Sequence, residues 1–117
     1  MTVLIVDDHP SFRSTARALL EAEGYDVVGE AEDGASAVAE AMRLRPQLIL
    51  LDVQLPDFDG FEVASRLRAS LNGETPTIVL TSSRDGSDFG PLVADCGASG
   101  FVPKAELSGS ALAALLG

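Results

Sequence analysis

The stretch Leu48-Ile49-Leu50-Leu51-Asp52 is a run of four apolar residues that ends in an acid, and it decides the fold. Similar runs occur at Val3-Leu4-Ile5-Val6 and at Ile78-Val79-Leu80, again without polar alternation. Continuous apolar runs of strand length are typical of parallel strands that are covered on both faces. These three runs are therefore predicted to be interior strands of a parallel sheet.

Two weaker candidate strands complete the set. Asp26–Ala31 is mixed and contains a glycine, and Gly100–Pro103 ends in a proline. Proline cannot donate to a sheet ladder, so it is largely confined to edge strands. Both segments are therefore predicted to lie at the edges of the sheet.

Helical patterns separate and follow the strands. Apolar residues at helical spacing, or in one case a nearly continuous apolar run, occur in five segments: Phe12, Ala16, Leu19 and Leu20 before Gly24; Val38, Ala39 and Met42 before Pro46; Phe61, Ala64, Leu67 and Leu71 before Asn72-Gly73; a weaker stretch from Pro91 to Cys96; and Leu107 to Leu116. Strand and helix thus alternate five times. This order predicts one α/β domain over residues 1–117, a flavodoxin-like (βα)5 sandwich with a parallel sheet in the order 2-1-3-4-5 and helices on both faces.

The composition excludes several classes of protein. The 117 residues carry 18 acidic and 8 basic side chains, a net charge of −10, and 46% of them are hydrophobic. Such a chain is too apolar to be disordered, and its charge would repel nucleic acid and anionic membranes as direct partners. No apolar run is long enough to span a bilayer, and the N-terminus does not resemble a secretion signal. The single cysteine, Cys96, excludes an internal disulfide and is interpreted as a small packing residue. Together, these features lead us to expect a cytoplasmic protein.

Acidic residues follow the first and third predicted strands. The first strand ends in Asp7-Asp8-His9, and the third ends in Asp52. In sheets of this order, ligands bind beyond the carboxyl ends of the strands, between strands one and three. Three carboxylates meeting there need a compensating cation, and Mg²⁺ is the natural one because it prefers oxygen ligands. His9 is therefore expected to be an exposed loop residue rather than a ligand.

Hydroxyl groups and a lysine follow the remaining strands. Thr81-Ser82-Ser83 comes at the end of strand four, and Lys104 follows strand five. Carboxylates, a metal, hydroxyls and one ammonium group together form a site suited to a phosphoryl group, with one aspartate as the nucleophile. Each residue alone would equally fit a helix cap, a turn or a surface charge. Their ordered placement at strand ends favours the phosphoryl site.

These residues resemble the receiver domain of two-component response regulators, over nearly the whole chain. The resemblance is carried by four segments: Leu4-Ile5-Val6-Asp7-Asp8-His9; Leu50-Leu51-Asp52-Val53-Gln54-Leu55-Pro56 with Gly60; Thr81-Ser82; and Gly97-Ala98-Ser99-Gly100-Phe101-Val102-Pro103-Lys104. It implies a CheY-like phosphorelay switch that catalyses only its own phosphorylation and dephosphorylation, and is not a turnover enzyme.

The resemblance also implies the role of each acid and of the lysine. Asp52 would take a phosphoryl group from a sensor histidine kinase or a phosphotransfer protein. Asp8 and Asp52 would bind Mg²⁺ directly, together with the backbone carbonyl of Gln54, and Asp7 would act mainly through metal-bound water. Lys104 would contact the phosphoryl oxygens.

The switch residues are likewise implied by the resemblance. Thr81 would be the hydroxyl that moves to the phosphate, and Phe101 the aromatic that turns inward with it. Gln54 and Ser83 would modulate the lifetime of the phosphoaspartate. The switched surface would comprise helix four, strand five and helix five, and a homodimer through that face is our hypothesis because Leu107 to Leu116 is apolar nearly all round. The alternative is a small-residue helix that lies flat on the sheet.

The sequence departs from the common receiver pattern in three places. Ala105 follows Lys104 where many receivers have proline, which leaves the isomer of that peptide bond open. Phe101 lacks the hydroxyl that a tyrosine would offer. Gly90-Pro91 predicts a short fourth helix that begins near the proline.

Three other functions fit the sequence less well than a phosphoacceptor. A pseudo-receiver would use the fold only to bind proteins, but Asp7, Asp8, Asp52, Thr81 and Lys104 are all present. An FMN carrier would need a hydroxyl- and glycine-rich loop in place of Asp7-Asp8-His9-Pro10, and an aspartyl-phosphate hydrolase usually has an acid where Gln54 stands. We expect either a single-domain receiver that signals by docking or by relaying phosphate, or the receiver part of a longer regulator that carries an effector domain.

Overall fold

The computed structural model describes residues 1–71, 76–83 and 90–116. Its strands are β1 (Thr2–Val6), β2 (Asp26–Ala31), β3 (Leu48–Asp52), β4 (Thr77–Ser82) and β5 (Gly100–Pro103). Its helices are α1 (Pro10–Ala22), α2 (Gly34–Leu44), α3 (Gly60–Leu71), α4 (Gly90–Asp95) and α5 (Gly109–Leu116), with a 3-10 helix at Lys104–Glu106. The strands are all parallel and lie in the order β2-β1-β3-β4-β5, which confirms the predicted topology.

The apolar strands lie in the interior of the sheet, as their sequences predict. All five residues of β3 are buried, because β1 and β4 flank it and helices cover both faces. The mixed strand β2 and the proline-containing strand β5 form the two edges. The pairing places Val6 opposite Leu51 and Asp52 opposite Thr81, so the carboxyl ends of β1, β3 and β4 lie side by side.

The strands divide their side chains between two apolar layers. Leu4, Ile49 and Leu51 point into a layer that is completed by α2, α3 and the end of α4. Their neighbours Ile5 and Leu50 point to the opposite face, where α1 and α5 pack. This period of two arises because successive side chains of a strand face opposite sides of the sheet.

The inward face of α2 differs from the prediction. Ala37 and Ala41 are the buried residues of its central turns, whereas Ala39 is exposed and Met42 retains 44% of its accessible surface. The prediction of a face made of Val38, Ala39 and Met42 is therefore wrong except for the half-buried Val38. The prediction chose the larger hydrophobic side chains, whereas the fully buried residues of α2 are the small ones, Gly34, Ala37 and Ala41.

Two other helix boundaries bear on the predictions. The short fourth helix is confirmed, with Pro91 as its second residue. The last helix begins at Gly109 rather than at Leu107, because the 3-10 helix comes first and the Ser108 hydroxyl then accepts a hydrogen bond from the Ala111 amide at 3.0 Å. Only Leu112 of α5 is fully buried, so this helix lies on the sheet by one face.

The turns and peptide bonds between the elements bear on the remaining predictions. Gly24, predicted to end the first helix, has φ +92° just beyond α1. The predicted turn at Asn72-Gly73 lies outside the described residues. Every peptide bond in the described part is trans, including that between Lys104 and Ala105. None of the helices in the described ranges combines the length and hydropathy needed to cross a bilayer.

Gly60 is the position at which a side chain would disturb the fold next to Asp52. A Cβ there would lie 2.5 Å from the carbonyl oxygen of Asp52 and 3.0 Å from the Cα of Val53. Because both are backbone atoms, Gly60→Ala is expected to lower the free energy of unfolding by about 1–3 kcal/mol in chemical denaturation.

The matched control is Gly109→Ala in α5. Its Cβ would meet only the flexible end of Glu23, which can move away, so the free energy of unfolding should change little. Equal losses in the two variants would contradict the steric explanation for Gly60.

Candidate functional site

The carboxyl ends of β1 and β3 bring four ionisable side chains together. Asp7, Asp8, His9 and Asp52 each offer a ligand atom, and these atoms lie within 4.8 Å of one another. Asp7 and Asp52 are buried, whereas Asp8 keeps 36% of its side chain exposed. Their proximity follows directly from the topology, because β1 and β3 are adjacent and parallel.

Lys104 reaches this cluster from the 3-10 helix that follows β5. Its Nζ lies 2.6 Å from Oδ2 of Asp7 and 3.2 Å from Oδ2 of Asp52, and 15% of its side chain is exposed. Burial opposes the charge of the ammonium group, but the carboxylates of Asp7 and Asp52 outweigh burial and raise the pKa of Lys104. The ring of Phe12 lies below the ammonium, with its centroid 4.6 Å away. Lys104 is therefore held as a cation between the two buried acids.

The environment of Asp52 favours a second cation. Burial raises the pKa of Asp52, the amide of Gln54 opposes this by donating to its Oδ1 at 3.1 Å, and nearby Asp7 raises the pKa further. Lys104 lowers the pKa of Asp52, yet the net direction is upward. The ammonium group therefore compensates the burial of the Asp52 carboxylate and the nearby charge of Asp7 only in part.

The donor set fits Mg²⁺. Three aspartates at one solvent-accessible point supply the oxygen ligands that Mg²⁺ prefers, and the exposure of Asp8 leaves room for the waters that this ion retains. His9 is exposed, as predicted, with 64% of its side chain accessible. Its Nδ1 nevertheless lies 3.1 Å from Asp7 and 3.0 Å from Asp8, a contact that the sequence did not suggest.

Thr81 lies opposite Asp52 on the adjacent strand. Its side chain is buried, and its hydroxyl oxygen has no hydrogen-bond partner among the described residues. A buried polar group without a partner carries a free-energy cost, which a phosphoryl oxygen at Asp52 would remove. Phe101 is half-buried against the adjoining apolar layer, and Gln54 and Ser83 are exposed.

Two residues near the site were missed by sequence reasoning. The first is Phe12, which was assigned only to the inward face of the first helix. The second is Arg13, whose Nη1 donates to the backbone carbonyl of Asp7 at 2.6 Å. An arginine one helical turn after an acidic strand end is the signal that could have suggested it, but it fits an exposed helix residue equally well.

The arrangement as a whole is suited to phosphoryl transfer. A buried carboxylate can act as a nucleophile, an ammonium group lies beside it, and adjacent acids can hold a divalent cation. The unpartnered hydroxyl of Thr81 provides a donor close to the same point.

Comparison with known proteins gives a consistent result. The family model described as the response regulator receiver domain matches residues 3–115. A Pseudomonas aeruginosa protein named as a transcriptional regulator is 46% identical over 104 residues, which cover 89% of this chain and 49% of that protein. EvgA of Escherichia coli, named a DNA-binding transcriptional activator, is 32% identical over 98% of this chain and 55% of its own length.

Solved structures agree with the sequence comparison. A two-component response regulator of the LuxR family from Aurantimonas superimposes with a TM-score of 0.86 and 32% identity, covering 98% of this chain and 84% of that structure. The present chain spans about half the length of the curated relatives that it matches.

Proposed function

Because this chain belongs to the receiver domains of response regulators, we propose that Asp52 accepts a phosphoryl group from a sensor histidine kinase or a phosphotransfer protein. The observation that supports this most strongly is the position of the Asp52 carboxylate, buried at the end of β3, beside the acids that follow β1 and 3.2 Å from the Lys104 ammonium.

The proposed transfer uses the side chains of this chain in defined roles. An oxygen of Asp52 forms the new P–O bond while the P–N bond of the donor phosphohistidine breaks, and the leaving imidazole recovers a proton. Lys104, whose Nζ lies 3.2 Å from Oδ2 of Asp52, would bind one of the oxygens of the transferred group. Asp7, Asp8, Asp52 and the carbonyl of Gln54 would hold Mg²⁺, which supplies charge neutralisation of the transferring group when bound.

The proposed switch begins at Thr81. A phosphoryl group adds acceptor oxygens beside a buried hydroxyl that has no hydrogen-bond partner in the described part of the chain, so Thr81 would gain a hydrogen bond by moving toward it. Phe101 would then repack and bias the surface formed by α4, β5 and α5 between two states, and exposed Gln54 and Ser83 would modulate the lifetime of the phosphoaspartate. The chain would act as a switch and would not turn over a substrate.

The proposed partners follow from charge and surface. The net charge of −10 makes direct contact of these 117 residues with nucleic acid unfavourable, and DNA binding is named for EvgA, a protein of about twice this length. A homodimer through the α4-β5-α5 face and a cytoplasmic location, which is typical of response regulators, complete the proposal.

Phosphorylation by a small-molecule donor tests the proposed function. The protein is incubated with acetyl phosphate in the presence of Mg²⁺ or of EDTA, and its intact mass is measured. We expect the mass of one phosphoryl group to be added with Mg²⁺ and none with EDTA. Equal labelling in EDTA would contradict the metal dependence, and no labelling under either condition would favour the pseudo-receiver alternative.

A further inference from the structure

Arg13 connects the first turn of α1 to the backbone of the acidic loop. Its guanidinium donates to the carbonyl oxygen of Asp7 through Nη1 at 2.6 Å and to Oε1 of Glu30 through Nε at 3.0 Å. Only 16% of the Arg13 side chain is exposed. The planar fork of a guanidinium fixes the direction of both bonds, which a lysine could not do.

The carbonyl that Arg13 holds belongs to the peptide group joining Asp7 to Asp8. The amide of Asp7 is also fixed, since it donates to the carbonyl of Ala31 at 3.0 Å. With both ends of Asp7 held, the orientation of the next peptide is restrained, and with it the direction in which the Asp8 side chain leaves the backbone relative to Asp7. Mg²⁺ demands near-ideal ligand geometry, so this direction bears on its affinity.

Glu30 balances the charge of Arg13. Its Oε1 accepts from Arg13 and its Oε2 accepts from Arg17 Nη1 at 2.7 Å. The guanidinium can therefore orient the acidic loop while its positive charge, which by itself would oppose a metal cation, is partly offset by the Glu30 carboxylate that it shares with Arg17.

We propose that Arg13 is a positioning residue that orients the Asp7–Asp8 peptide for Mg²⁺. The inference rests on the proposed function, because it assumes that Asp8 binds the metal directly and that Asp7 contacts it mainly through bound water. It makes a counterintuitive prediction: removing a positive charge near an acidic cluster should strengthen cation binding by Coulomb's law, whereas loss of positioning should weaken it.

The test compares Arg13→Gln with Arg17→Gln. Both substitutions remove one positive charge from α1, and both remove a guanidinium that binds Glu30. Isothermal titration calorimetry with Mg²⁺ alone gives the dissociation constants. We expect Arg13→Gln to bind Mg²⁺ about tenfold more weakly, as is usual when a group that orients a metal ligand is lost. Arg17→Gln should stay close to the wild-type value.

A second measurement separates positioning from a general loss of stability. The NMR resonance of the Asp7 carbonyl carbon, recorded without metal, should shift in Arg13→Gln and stay in place in Arg17→Gln, because Arg13 donates to that oxygen whereas Arg17 donates to Glu30 and to the Val27 carbonyl. If Arg13→Gln does not fold, Arg13→Lys is measured in its place. This variant retains the positive charge, and we still expect it to bind Mg²⁺ more weakly than the wild type does.

The outcomes distinguish this inference from the function on which it rests. If the wild type itself does not bind Mg²⁺, the proposed function fails. If the wild type binds Mg²⁺ and a folded Arg13→Gln protein binds it as tightly or more tightly, only the role of Arg13 is overturned. The same holds for Arg13→Lys where Arg13→Gln does not fold. Equal weakening in Arg13→Gln and Arg17→Gln would also overturn it, since Arg17 does not contact the loop carbonyl.

Discussion

Replacing Asp52 with asparagine is expected to abolish phosphoryl incorporation from acetyl phosphate, while the protein remains folded. The carboxylate oxygen is the nucleophile, and a neutral amide cannot form the acyl phosphate. The substitution also removes one of two buried carboxylates that share the Lys104 ammonium, so the fold should tolerate it. Intact mass and peptide mapping after incubation with Mg²⁺ check the result.

The matched control for this experiment is Asp57→Asn, the same change a few residues further along the chain. Asp57 is exposed and accepts hydrogen bonds from the amides of Gly34 and Ala35 at 2.7 and 2.9 Å, at the start of α2. The Asp57→Asn variant should therefore lose some stability and keep full phosphoryl incorporation. Labelling of Asp52→Asn at the wild-type level, or loss of labelling in Asp57→Asn, would contradict the assignment of Asp52.

Replacing Lys104 with methionine is expected to produce the largest change in stability. Lys104 is the only lysine in the sequence, and its ammonium lies between two buried carboxylates. Removing one partner of a buried ion pair leaves uncompensated charge, so the free energy of unfolding should fall by about 3 kcal/mol in EDTA. Because Mg²⁺ would compensate the same carboxylates, millimolar Mg²⁺ should restore much of that loss in thermal or chemical unfolding.

The control for Lys104 is Arg43→Met, which also removes a cation from an ion pair. Arg43 contacts Glu40 on the surface of α2 with most of its side chain exposed, so neither stability nor its response to Mg²⁺ should change measurably. A Lys104→Met protein as stable as the wild type in EDTA, or one that Mg²⁺ does not stabilise, would show that the acids are not held by this ammonium.

Much of the fold could be predicted from the sequence because the strands are strongly patterned. The apolar run at Leu48 to Leu51 indicates a strand buried on both faces, and the proline at position 103 favours an edge position for β5. These two facts restrict the strand order. The face of α2 could not be predicted in this way, since Ala37 and Ala41 approach the sheet on account of their small size rather than their hydrophobicity.

The candidate site was predictable to the extent that it depends on strand ends. Asp7, Asp8 and Asp52 come together wherever β1 and β3 are parallel neighbours, so topology is sufficient to place them. The contact of Arg13 with the Asp7 carbonyl was not predictable, because it depends on the rotation of α1 and on side-chain reach. The unpartnered hydroxyl of Thr81 likewise emerges only from the packing around it.

Beryllofluoride, which takes the place of a phosphoryl group on a carboxylate, can show whether the acids and the lysine act as one metal-dependent acceptor. Fluorine NMR of the wild type is recorded with beryllofluoride before and after addition of Mg²⁺, and again with Asp52→Asn. We predict bound fluorine resonances that appear only with Mg²⁺ and are missing in the variant. Bound resonances that need no Mg²⁺, or that persist in Asp52→Asn, would contradict a phosphoacceptor site at the junction of β1 and β3.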